Sequence, residues 1–99
     1  MDFNVKKTDG VVNISFAGEF TIYAAADIKA RLVESLGQGR MLDVDLEGVT
    51  EMDTSGVQLL ILARREADML GKGFRVSRCG EAAAAAIDVY NLREFFNIS

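Results

Sequence analysis

The chain has 99 residues, 49% of them hydrophobic and 26% charged, the balance of one ordinary folded domain, and residues 1–99 are read as a single unit. A formal charge of −4, from 11 basic and 15 acidic residues, argues against nucleic acid as a partner, because that calls for clustered Lys and Arg. With no His and a single cysteine, Cys79, the chain is excluded from imidazole and thiolate–imidazole catalysis, from the usual zinc sites and from an intrachain disulfide. No apolar run, Leu59–Ala63 included, comes near the ~20 residues of a membrane span, and Met1-Asp2-Phe3-Asn4 lacks the start of a signal peptide. A cytoplasmic domain that needs no metal or cofactor and does not insert into a membrane is expected.

Phe3 and Val5 alternate, as do Val12, Ile14 and Phe16, and Asp9-Gly10 lies between the two runs. That pattern predicts a β-hairpin, with Gly18 closing its second strand. From Ala24 to Leu36 the period changes: Ala25, Ile28, Leu32 and Leu36 recur at three- and four-residue spacing, which predicts an amphipathic helix with Gly37 at its C-terminal cap. Leu42, Val44 and Leu46 alternate with Asp43, Asp45 and Glu47 in a third strand. A second helix is predicted from Val57 to Leu70, stopped by Gly71, and a fourth strand from Phe74 to Ser77. The alanine-rich stretch from Glu81 to about Val89 predicts a third helix, since alanine has the highest helix propensity. Asn91-Leu92-Arg93-Glu94 has the spacing of a capping box that would start a fourth, ending at Phe95-Phe96. The expected fold is therefore α/β in the order β-β-α-β-α-β-α-α. Its mixed sheet would have four to five strands, parallel apart from the hairpin, against about four helices.

Few motifs carry chemistry. Gly37-Gln38-Gly39 and Gly71-Lys72-Gly73 do not extend into a dinucleotide or phosphate-loop fingerprint and read as helix exits. Asp43-x-Asp45-x-Glu47-Gly48 has the start of a calcium loop, but the twelfth position, which needs a bidentate Glu, is Thr54. What remains is Asp53-Thr54-Ser55-Gly56, leading directly into Val57-Gln58-Leu59-Leu60. Ser55 with Gln58 three residues on reads as a capping box, which makes Ser55 the predicted N-cap. Thr54 then stands one position outside the helix, with a free hydroxyl beside the positive end of the helix dipole.

Taken with its flanks, the run Val44-Asp45-Leu46-Glu47-Gly48-Val49-Thr50-Glu51-Met52-Asp53-Thr54-Ser55-Gly56-Val57-Gln58-Leu59-Leu60 resembles the signature of STAS domains. Gly18-Glu19-Phe20, Gly71-Lys72-Gly73-Phe74-Arg75-Val76, Leu92 and Phe95-Phe96 agree with the same pattern, so the resemblance extends over nearly the whole chain. It implies a STAS-like (anti-sigma factor antagonist) fold and a non-enzymatic module that binds protein in bacterial signal transduction and transcription regulation. In antagonists of that family a partner serine kinase, itself the anti-sigma factor, phosphorylates the residue after the motif Asp. Carried over, that residue is Thr54, with Ser55 as the second candidate. The partner would be an anti-sigma factor or a related histidine-kinase-like ATPase. Phe20, Thr21, Ile22, Tyr23, Asp53, Thr54, Ser55, Gly56 and Gln58 would meet it. Many antagonists carry an acidic residue shortly after the Gly-Glu pair, whereas this chain has Thr21-Ile22-Tyr23 there. Two other branches of the family supply alternatives: a chemotaxis-linked signalling adaptor, and the STAS subunit of a lipid-transporting membrane complex.

Overall fold

The computed structural model describes residues 1–98. Strands β1 (Asp2–Thr8) and β2 (Val11–Phe20) pair antiparallel around Asp9-Gly10. Both turn residues have positive φ, 52° and 83°, as a type I′ turn requires for its twist to match that of the strands it joins. A 3-10 turn (Ile22–Ala24) leads into helix α1 (Ala25–Leu36), which buries Ile28, Leu32 and Leu36 as their spacing predicts. Gly37 is its C-cap, with right-handed backbone at φ −76°. Strand β3 (Met41–Met52) follows, then helix α2 (Thr54–Met69), strand β4 (Gly73–Cys79) and helix α3 (Glu81–Val89).

The sheet has four strands in the order β1-β2-β3-β4, and β3 is parallel to both of its neighbours. Val12, Ile14 and Phe16 of β2 line up with Leu42, Val44 and Leu46 of β3 and with Phe74 and Val76 of β4 on one face, all buried. They form a common core with Ile28, Leu32 and Leu36 of α1, Leu60, Ala63 and Ala67 of α2, and Ala83 and Ile87 of α3. The other face carries charge. Asp43 meets Arg75 at 3.2 Å, and Arg78 reaches Asp45 at 3.7 Å and Glu47 at 3.8 Å. The acidic residues that look like the start of a calcium loop are thus strand residues paired with arginines on the next strand.

The α/β class, mixed sheet and order of the first seven elements are as expected; the fourth helix is not. Helix α2 ends at Gly71, φ 69°, where the N–H of Lys72 reaches Ala67 and that of Gly71 reaches Asp68. Helix α3 ends the same way at Asn91, φ 55°, with the N–H of Leu92 on Ile87 and that of Asn91 on Asp88. Asn91 is therefore the left-handed residue that closes α3, a role Asn fills next best after Gly, and not the N-cap of another helix. The residues after it make a single turn, in which the N–H of Phe96 bonds Leu92, closed by Asn97 at φ 55°. That turn covers the free edge of β4: the N–H of Val76 donates to the Phe96 carbonyl at 3.0 Å, and Asn97 Nδ2 donates to that of Phe74 at 2.8 Å. Covering the edge satisfies backbone groups that could otherwise pair with another chain. No helix among the described residues is long and apolar enough to cross a membrane.

Candidate functional site

Strand β3 delivers Asp53-Thr54-Ser55-Gly56 to the point where α2 begins. The N-cap is Asp53, one residue outside the helix with extended backbone, and its Oδ1 accepts from the Gly56 N–H at 3.1 Å. This corrects the expected cap at Ser55: Thr54 and Ser55 are the first helical residues, and the exposed Gln58 closes no capping box. Asp and Ser are nearly equal as caps, and the backbone decides between them. The second oxygen of Asp53 has another task. Oδ2 accepts from the Ile22 N–H at 3.1 Å, tying the start of α2 to the turn before α1.

Gly56 is buried against the end of β2. A Cβ there would lie 2.4 Å from the Phe20 carbonyl oxygen and 2.7 Å from its ring, so the helix can approach this closely only with glycine at that position.

Thr54 is exposed, and its Oγ1 lies 2.9 Å from the phenol oxygen of Tyr90, the residue at the exit of α3. The hydroxyl expected to stand free is therefore hydrogen-bonded. The cleft beside it, about 260 Å³, is lined by Met52, Asp53, Thr54, Ala86, Val89 and Tyr90. It includes no Lys or Arg side chain, so any anionic group placed there has Asp53 for a neighbour and no cation in the lining.

The residues expected at the partner surface divide into two sets. Phe20 and Thr21 are 0% and 1% exposed and belong to the interior; Phe20 packs edge-on against Phe16, with ring centroids 5.1 Å apart. Gly56 is buried as well. Ile22 and Tyr23, by contrast, are 59% and 94% exposed, and with Thr54 and Gln58 they face outward; Asp53 and Ser55 are half-buried. Burial of Phe20 follows from its place as the last residue of β2, directly beneath Gly56. Two residues beside Thr54 escaped the sequence reading: Val89, 76% exposed, and Tyr90. Large apolar side chains standing in water at a helix exit are the signal, but nothing local connects Tyr90 to a threonine so far back in the chain.

Residues 3–97 match the family model described as Mlab, STAS domain. The chain is 23% identical over its full length to the anti-sigma-B factor antagonist of Bacillus subtilis, covering 91% of that protein. Its fold is similar to a crystal structure of an anti-sigma factor antagonist from Mycobacterium paratuberculosis, with a TM-score of 0.88 at 22% identity over 98% of this chain and 83% of that one. It is similar also to the Bacillus cell fate determinant SpoIIAA in its phosphorylated form, with a TM-score of 0.75 at 20% identity over 99% of this chain and 91% of that one.

Proposed function

The chain belongs to the STAS-domain family, and on that premise we propose that it is a cytoplasmic regulatory module whose binding to an anti-sigma factor, or to a related ATPase with serine-kinase activity, is switched by phosphorylation of Thr54. One observation carries the reading: Thr54 is exposed at the first position of α2, its hydroxyl beside the exposed Val89 and Tyr90, with the exposed Ile22 tied through its backbone to the adjoining Asp53. The bond Asp53 accepts from the Ile22 N–H and the bond shared by the Thr54 and Tyr90 hydroxyls hold both segments to the loop. A hydroxyl displayed beside exposed apolar side chains suits a modification that partners read. Similarity to an antagonist structure in phosphorylated form supports the same reading.

The domain itself catalyses nothing in this scheme. The partner supplies ATP and the base: the Thr54 oxygen forms the new O–P bond, ADP leaves, and the hydroxyl proton passes to the partner. The product adds about −1.5 to −2 charges at neutral pH beside Asp53. The start of α2 tolerates that charge, because its dipole and its free N–H groups favour an anion. A partner packed over the same surface does not, because it would bury a dianion without a counter-charge.

The test is to recover the protein from its native cells, with bound partners, and to map its modifications by mass spectrometry. Phosphate on Thr54, together with a soluble ATP-binding kinase that co-purifies only with the unmodified form, is the expected result. Unmodified Thr54 throughout, with membrane permease subunits as the bound proteins, would replace this reading with that of a permanent transporter subunit.

A further inference from the structure

We propose that Tyr90 is the positioning residue of the Thr54 switch: its phenol holds the Thr54 hydroxyl toward the exit of α3, and a phosphate carried on Thr54 is held on that side by a hydrogen bond from Tyr90. The proposal rests on the reading of Thr54 as the modified residue and adds where the phosphate lies and what holds it.

Four observations carry it. The two oxygens are 2.9 Å apart, within normal range for a hydroxyl pair. Thr54 is β-branched, so its χ1 has few wells, and a partner for Oγ1 selects among them. The Tyr90 backbone is held as the C-cap of α3 next to left-handed Asn91, and the turn beyond is braced by the Asp88–Arg93 pair at 2.5 Å. Finally, the cleft that Oγ1 faces offers the phenol as the one side-chain N–H or O–H donor in its lining besides Thr54 itself, with Asp53 as the one carboxylate. A phosphate there would have the Tyr90 O–H within reach, and an O–H···O⁻ bond is about twice as strong as the neutral bond it replaces. The surface that a partner reads then includes Val89 and Tyr90 as well as Ile22 and Tyr23, and the phosphate sits nearer the first pair.

The experiment uses the full chain with phosphothreonine placed at position 54 during synthesis, so it needs no kinase. The second ionisation of the phosphate, ordinarily near 6, is followed by ³¹P NMR in three proteins: the parent, Tyr90→Phe and Tyr23→Phe. A donor bonded to the dianion lowers that ionisation, so Tyr90→Phe should raise it by about 0.3–0.7 pH units, a two- to fivefold change in proton affinity. Tyr23, 94% exposed and absent from the lining of the cleft, is the control and should leave the phosphate titration unchanged. Identical titrations of the parent and Tyr90→Phe would overturn the proposal. This titration decides the contact whether or not cells phosphorylate Thr54, whereas an absence of phosphate in cells defeats the switch and leaves the contact standing.

Discussion

Asp53 does more than any other single side chain at the site, since one carboxylate caps α2 and holds the turn before α1. Replacing a capping Asp with Ala costs about 0.5–2 kcal/mol, and losing the second bond puts Asp53→Ala toward the upper end of that range. In a domain this size each kcal/mol lowers the melting temperature by roughly 4–8 °C. Ser55→Ala, which removes no cap, should stay within about 0.5 kcal/mol of the parent. Thermal melts of the two variants check the assignment, and a larger loss from Ser55→Ala would return the cap to Ser55. The sequence holds three adjacent cappers, Asp53, Thr54 and Ser55, all of which suit the start of a helix. Which one caps depends on where β3 ends and how closely α2 approaches Phe20, and that is a tertiary matter. Gly56 resolves it: only by placing this glycine against the β2 carbonyl can the helix start where it does.

At the scale of elements, periodicity located the strands and helices well where one face is buried. Val12-Ile14-Phe16, Leu42-Val44-Leu46 and Ile28-Leu32-Leu36 are core residues as their spacing indicates. The reading failed at Asn91, where one residue type serves both ends of helices: Asn is a good N-cap and also a good left-handed C-terminal residue. A nearby Glu94 favoured the first role, and the backbone takes the second. The consequence is a covering segment in place of a fourth helix. Phe96, 0% exposed, packs against Phe74 at 6.2 Å while its carbonyl accepts from Val76. Phe96→Ala should cost about 3–5 kcal/mol, the usual loss for a buried Phe, and should also bare the β4 edge. Urea unfolding gives the first quantity, and light scattering during refolding gives the second. A variant that loses less than about 1 kcal/mol and stays monomeric would show that the C-terminal turn is not part of the core.

For the whole molecule, α/β topology and family were legible because the central signature is continuous in sequence, from the end of β3 into α2. The surface around it was only half legible. Ile22 and Tyr23 are exposed, but Phe20 and Thr21 are not, since the strand runs to Phe20 and carries it beneath Gly56. Val89 and Tyr90 were missed because the fold, not the sequence, brings the exit of α3 beside Thr54. Val89 and Tyr90 stand beside the Thr54 hydroxyl, and Ile22 is tied to the adjoining Asp53, so the proposed partner would meet residues from three separate segments of the chain.

The most direct measurement is the affinity of Thr54→Glu for the proposed partner kinase, purified, determined by calorimetry beside the parent protein. A buried charge without a counter-charge costs on the order of 3–5 kcal/mol, so binding should weaken roughly a hundred- to several-thousand-fold. The melting temperature should stay near that of the parent, since the start of α2 accepts negative charge. Thr54→Glu that binds as tightly as the parent would contradict the switch.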